Sequence, residues 1–239
     1  MQRSAQTIQP RLWLISAATL LATFVVAICI GAVNIPLSDV WHTFLVHAHL
    51  IDAHEPGSTF DAIIWQLRLP RVLLALLVGA MLSTAGCAFQ GTLRNPLADP
   101  YLLGVSAGAG LGATINMVWT IDQMRTALPL SSFAGAIAAV TLTYALGQSS
   151  LGGRSSTSLV LAGVAVANLL TALQTLAQQR NQEKIQEVYA WALGQLNTAN
   201  WADVRLIAPY VLICIAVLVK YRRVLDVFAV GDDEAITMG

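Results

Sequence analysis

Residues 72–90 read VLLALLVGAMLSTAGCAFQ, nineteen positions without one charged side chain. A hydrocarbon layer about 30 Å thick takes roughly 20 mostly apolar helical residues to cross, and only a helix or closed barrel satisfies its own backbone polar groups there. The run is therefore read as a membrane-spanning helix. Working outward by the same criterion gives further spans near 12–33, 101–121, 129–148, 157–178 and 204–220. The expected fold class is all-α, a polytopic membrane helix bundle with about six spans. The first run follows Arg3 and Arg11 and is twenty-two residues long. That exceeds a signal-peptide core of about 7–15 residues, so a retained first span is expected. Breaks are expected at Pro36, Pro56-Gly57, Asn95-Pro96, Pro100, Pro129 and Gly152-Gly153.

Composition points the same way. The chain is 56% hydrophobic and 11% charged, against about 45–50% and about 25% in soluble domains. The 13 basic and 13 acidic residues cancel, leaving no overall field to attract nucleic acid. Cys29, Cys87 and Cys214 each lie inside an apolar run without a second cysteine at ligand or redox spacing, and are read as small core residues. The cluster Lys220, Arg222 and Arg223 directly after the sixth run places that end, and with it the N-terminus, on the cytoplasmic side.

Three runs carry small residues at four-residue spacing. Ala75, Gly79, Ser83, Cys87 and Gly91 line the second; Gly104, Gly108 and Gly112 the third; Ser131, Gly135, Ala139, Thr143 and Gly147 the fourth. Such stripes let helix backbones approach closely, and a tight bundle is expected.

The segment Arg68-Leu-Pro-Arg71, then Leu77-Val-Gly-Ala80, Gln90-Gly91, Arg94-Asn-Pro-Leu-Ala-Asp-Pro100 and Leu103-Gly-Val-Ser-Ala-Gly108 resembles the permease subunits of iron-siderophore, haem and vitamin B12 importers. Further matches are Leu161-Ala-Gly-Val164, Trp191-Ala-Leu-Gly194 followed by Trp201, and Gly231-Asp-Asp-Glu-Ala235 to Gly239. The resemblance implies a bacterial cytoplasmic (inner) membrane subunit of an ATP-binding-cassette importer, carrying an iron-siderophore, haem or cobalamin inward. Its implied partners are a second permease copy, cytoplasmic ATPases and an extracytoplasmic substrate-binding protein. The chain would bind no cofactor itself, with ATP held by the partner subunit. The resemblance implies about ten spans in a full-length member. The sequence reaches Gly239 after six, so residues 1–239 are expected to be one transmembrane permease domain, its N-terminal part. A truncated remnant or scaffold that transports nothing is the alternative.

The resemblance assigns Arg68 and Arg71 to docking carboxylates of the binding protein, where guanidinium forks would fix orientation. Ordinary interfacial anchoring stands beside that reading. Asn168, Thr171, Thr175 and Gln178 follow i, i+3, i+7 and i+10, so they share one helical face. The resemblance makes that face the wall of the translocation path; interhelical hydrogen bonding is the alternative. Gly231, Asp232, Asp233, Glu234, Ala235 and Gly239 would begin the element coupled to the ATPase, acids favouring the first turn of a helix. The corner Asn95 to Pro100 is read as structural, its prolines limiting backbone freedom.

All four histidines, His42, His47, His49 and His54, fall in the first connection. Their spacing matches no standard ligand signature, so no metal is expected. An interfacial amphipathic segment is expected instead, with Trp41, Phe44, Leu45 and Leu50 toward lipid and imidazoles toward water. No phosphate-binding Gly-rich loop, His-Glu-x-x-His pair or Gly-x-Ser-x-Gly elbow occurs, so the chain is read as a transporter subunit and not an enzyme.

Overall fold

The structure, a computed structural model, describes residues 10–51, 59–119, 127–149, 156–194 and 196–230. The expected coupling residues 231–239 and His54 lie outside the described residues. Among the described residues every regular element is helical. Five stretches are long and apolar enough to cross a membrane: Pro10–Cys29, Phe60–Leu93, Leu128–Gln148, Thr157–Arg180 and Trp201–Lys220. Two compact units are distinguished, Met1–Ala80 with Leu196–Leu212, and Met81–Gln195 with Ile213–Gly239.

The first unit holds α1 (Pro10–Cys29), α2 (Leu37–His47), the single turn α3 (Thr59–Ala62) and the start of α4 (Leu69–Leu93). Helix α1 stops at Cys29, four residues before the end of the apolar run, and the chain bends back through Ile35, whose N–H bonds the Cys29 carbonyl at 2.9 Å. Pro36, extended at φ −60° and ψ 145°, then starts α2. Between α3 and α4 the helix widens into a π-helical stretch, Ile63–Arg68, in which the Leu69 N–H reaches back to the Ile64 carbonyl. The cause lies one residue further on. Pro70 has no N–H and its ring crowds the carbonyl four residues earlier, and the wider stretch removes that clash without ending the helix. Ile28, Ile35, Val40, Ile64 and Leu69 form the core, with Phe24, Phe44, Trp65 and Trp201 packed on it.

The second unit is built on α5 (Val105–Trp119), α6 (Leu128–Ser149) and α7 (Ser156–Arg180). The expected third span, 101–121, is not one uninterrupted helix. Asp99 accepts from the Tyr101 N–H at 2.7 Å and starts a tight 3-10 turn, Pro100–Leu103; Gly104 then takes a left-handed φ of 73° before α5 begins. Fifteen residues of α5 reach about 22 Å, short of the roughly 30 Å hydrocarbon layer. Helix α5 is also rich in buried small residues, Gly108, Gly110, Gly112 and Ala113 among them.

Those glycines set the packing. A Cβ on Gly108 would collide with the Gly135 carbonyl and come within 2.6 Å of the Ala139 Cβ; one on Gly112 would collide with the Ser131 carbonyl; one on Gly135 would collide with the Gly108 carbonyl. Helices α5 and α6 therefore touch backbone to backbone. Thr143 donates to the Leu103 carbonyl at 3.0 Å from a fully buried position, satisfying a group freed by the turn. The stripe on α4 is different: among the described residues nothing lies within 4 Å of a Cβ built on Gly79, Ser83 is exposed, and Gly91 meets only the Ala229 Cβ at 3.9 Å.

After α7 come the short helix α8 (Ile185–Ala192), α9 (Trp201–Lys220) and α10 (Arg222–Val230). Asn200 starts α9 by a reciprocal cap: its Oδ1 accepts from the Ala202 N–H at 2.7 Å, while Asp203 Oδ2 accepts from the Asn200 N–H at 3.0 Å.

Candidate functional site

Three groups of residues were singled out for function, and the structure treats them differently. On α7, the buried positions Gly163, Val166 and Ala177 face α5, α6 and the 3-10 turn, and Gln174 packs over Gly110. Asn168, Thr171 and Thr175 are exposed and Gln178 is half-buried. At 3.6 residues per turn the four span an arc of about 80°, turned well away from the packed side. They stand together as an uncharged polar strip. Thr175 Oγ1 donates to the Thr171 carbonyl at 2.9 Å, so this hydroxyl is satisfied within the helix and its lone pairs remain outward.

Arg68 is engaged within its own chain. Its guanidinium is folded onto the end of α1, donating to the carbonyls of Ile28, of Cys29 at 3.0 Å, and of Val33. A helix end leaves its last carbonyls without partners, and a cation there also meets the negative end of the helix dipole. Arg68 is thus a cap between segments 40 residues apart in sequence, a role that residue spacing gives no means of seeing. Arg71, one turn further along α4, is half-buried, and its Nε makes no hydrogen bond.

Among the described residues no three His, Cys, Asp or Glu side chains stand where they could share a metal ion. His47 lies flat on Trp65, ring centroids 3.8 Å apart, with Nδ1 3.1 Å from the Thr43 carbonyl and 3.5 Å from an Asp61 carboxylate oxygen. Phe44 meets the same indole edge-on, and Trp201 packs beside it while donating Nε1–H to the Trp65 carbonyl at 2.8 Å. Phe44 and the His47 ring are therefore turned into this aromatic cluster, not to lipid and water as their amphipathic pattern suggested. Trp41 and Leu50 are exposed. The pairing joins residues more than 130 apart, so no local pattern could have announced it.

At the opposite end of α4, Arg94 adopts a positive φ of 51° and donates Nε–H to the Phe228 carbonyl of α10 at 2.7 Å. The Asn95 side chain accepts from the Leu97 N–H at 2.9 Å, closing the corner that leads to Pro100. The corner and α10 are thereby tied together, a contact not foreseen from the sequence.

The FecCD transport family matches residues 19–239. The chain is 33% identical to the hemin transport system permease protein of Yersinia pestis, over 97% of this chain and 67% of the relative. It is 35% identical to the cobalamin import system permease protein of Halobacterium salinarum, over 76% and 49%. With the uncharacterized ABC transporter permease protein YvrB of Bacillus subtilis it shares 32% identity over 95% and 65%. A solved structure described as an inward-facing conformation of a metal-chelate type ABC transporter superposes with a TM-score of 0.77 at 25% identity, covering 96% of this chain and 68% of that one. The chain spans between about half and two thirds of these relatives' length.

Proposed function

The chain belongs to the FecCD transport family, and on that premise we propose that it is the membrane-spanning permease part of an ATP-driven importer that carries a metal chelate, haem or cobalamin inward across the cytoplasmic membrane. The observation that supports this reading is the polar strip of α7. Asn168 and Thr171 are exposed, beside Thr175, on a helix otherwise apolar enough to cross a bilayer, and polar side chains facing lipid are unfavourable without a partner. Water in a path between two permease copies supplies that partner. An uncharged wall suits bulky chelates of differing charge, because it offers hydrogen bonds without trapping the cargo at one site.

The same reading gives each end of the molecule a task. ATP is hydrolysed by a separate cytoplasmic subunit, which meets the acidic segment Gly231 to Gly239 entered directly from α10. The bond from Arg94 to Phe228 supports this assignment, since it would carry a displacement of α10 into the corner between α4 and α5. At the other end, a soluble binding protein delivers the cargo. Arg68 contributes there by holding the end of α1 in place.

Cysteine scanning tests the path. In a variant lacking Cys29, Cys87 and Cys214, single cysteines at positions 168, 171 and 175 are exposed to a membrane-impermeant thiol reagent in cells that also make the partner ATPase and binding protein. Labelling at all three, slowed by cargo-loaded binding protein, is expected. Protection of all three under every condition would remove the path from this face.

A further inference from the structure

Arg71 stands where two grooves meet. One, of about 460 Å³, runs between Leu20, Phe24 and Ala27 of α1 and Val72, Ala75 and Leu76 of α4, with Asn197 at its side. The other, of about 380 Å³, opens along Ala27, Gly31 and Val33 toward Leu67 and Arg68. Both include Ala27, Arg71 and Val72. Apart from Arg68 and Arg71, no charged side chain among the described residues lines either one.

The depth of these grooves follows from α1. Its 20 residues reach about 30 Å, the thickness of the hydrocarbon layer, so its capped end at Cys29 marks one boundary of the membrane. Ala27 lies just inside that boundary, and Leu20 lies about 10 Å deeper. The larger groove is therefore an apolar slot that begins at the headgroup level and descends into the acyl region. At about 30 Å³ for each small group, 460 Å³ accommodates roughly fifteen, the size of one acyl chain. At its mouth sits a half-buried guanidinium whose Nε has no hydrogen-bond acceptor.

We propose that this slot binds one anionic phospholipid, its acyl chain between α1 and α4 and its phosphate on Arg71. A phosphate brings the opposite charge and several acceptor oxygens to the outer guanidinium nitrogens, Nε itself being buried, in the geometry that guanidinium binds best. A spanning helix of a second copy meets the same need poorly: among the described spans the only carboxylates are Asp61, 3.5 Å from His47 Nδ1, and Asp203, which accepts from the Asn200 N–H, both at span ends and already engaged. The lipid would hold α1 against α4 on the side where Arg68 does not reach.

Native mass spectrometry of the full chain, stripped of lipid and then offered phosphatidylglycerol or diacylglycerol with the same acyl chains, tests the proposal. One phosphatidylglycerol per chain is expected to stay bound, with diacylglycerol, which has no phosphate, retained at least tenfold less, since a charge-assisted bond is lost. Arg71→Gln is expected to bring phosphatidylglycerol down to the diacylglycerol level, and Arg71→Lys to retain an intermediate amount. Ala75→Trp fills the slot while keeping the guanidinium, and is expected to expel the lipid as well. It decides the matter if the Arg71 variants do not fold. Equal retention of the two lipids by the unsubstituted chain, undiminished phosphatidylglycerol in Arg71→Gln or Ala75→Trp, or its displacement by inorganic phosphate alone would each overturn the assignment.

Discussion

Glycine to alanine substitutions at four positions separate packing from propensity. At Gly108 the added Cβ would sit 2.6 Å from the Ala139 Cβ and in collision with the Gly135 carbonyl, whereas carbon atoms rest about 3.5–4.0 Å apart. Helices α5 and α6 must then separate by about 1 Å, and a gap of that size forfeits a quarter to a half of the attraction along the whole contact. Overpacking of this kind costs about 1–3 kcal/mol, only partly offset by the roughly 1 kcal/mol that alanine gains over glycine in a helix. Gly112→Ala and Gly135→Ala meet backbone in the same way. Gly79→Ala, with nothing within 4 Å, keeps the propensity gain alone. Unfolding of the purified chain in mixed micelles of increasing denaturing detergent measures all four. The three α5–α6 variants are expected to lose stability and Gly79→Ala to hold or gain it. Equal effects at Gly79 and Gly135 would refute the argument that backbone contact sets this packing.

Arg68→Gln removes the charge that holds three carbonyls near the end of α1 and is expected to cost about 2–3 kcal/mol; faster amide exchange in residues 26–30 would locate the loss. Thr143→Val leaves the Leu103 carbonyl without its buried donor, an effect of about 1–3 kcal/mol in the same unfolding measurement. Trp201→Phe deletes the donor to the Trp65 carbonyl, and about 1 kcal/mol together with a shift of Trp65 emission is expected. Asn200→Ala removes the cap of α9, for which about 1 kcal/mol and fraying confined to the first turn are expected.

Exposure along the spans bears on how the chain is covered. Only 6% of the most apolar window of Phe60–Leu93 is buried, and 6% of that of Pro10–Cys29. Within this chain α4 therefore keeps most of its surface for lipid or for other helices, including the face of Gly79 and Ser83. The glycines of α5 and α6, by contrast, are already in contact with each other. Identical four-residue spacing thus serves two different ends.

The amino-acid sequence by itself determined that the fold is helical and lies in a membrane, because the length and polarity of each apolar run answer to the thickness of the hydrocarbon layer and to nothing else in the molecule. The face shared by Asn168, Thr171, Thr175 and Gln178 was legible for the same reason, since helical periodicity is local. Tertiary structure alone decided that Arg68 closes α1 while Arg71 Nε is left without an acceptor, and that His47 stacks on Trp65. Each of these depends on groups far apart in the chain. A charge or ring takes the partner that folding brings within a few ångströms, and sequence spacing does not carry that distance.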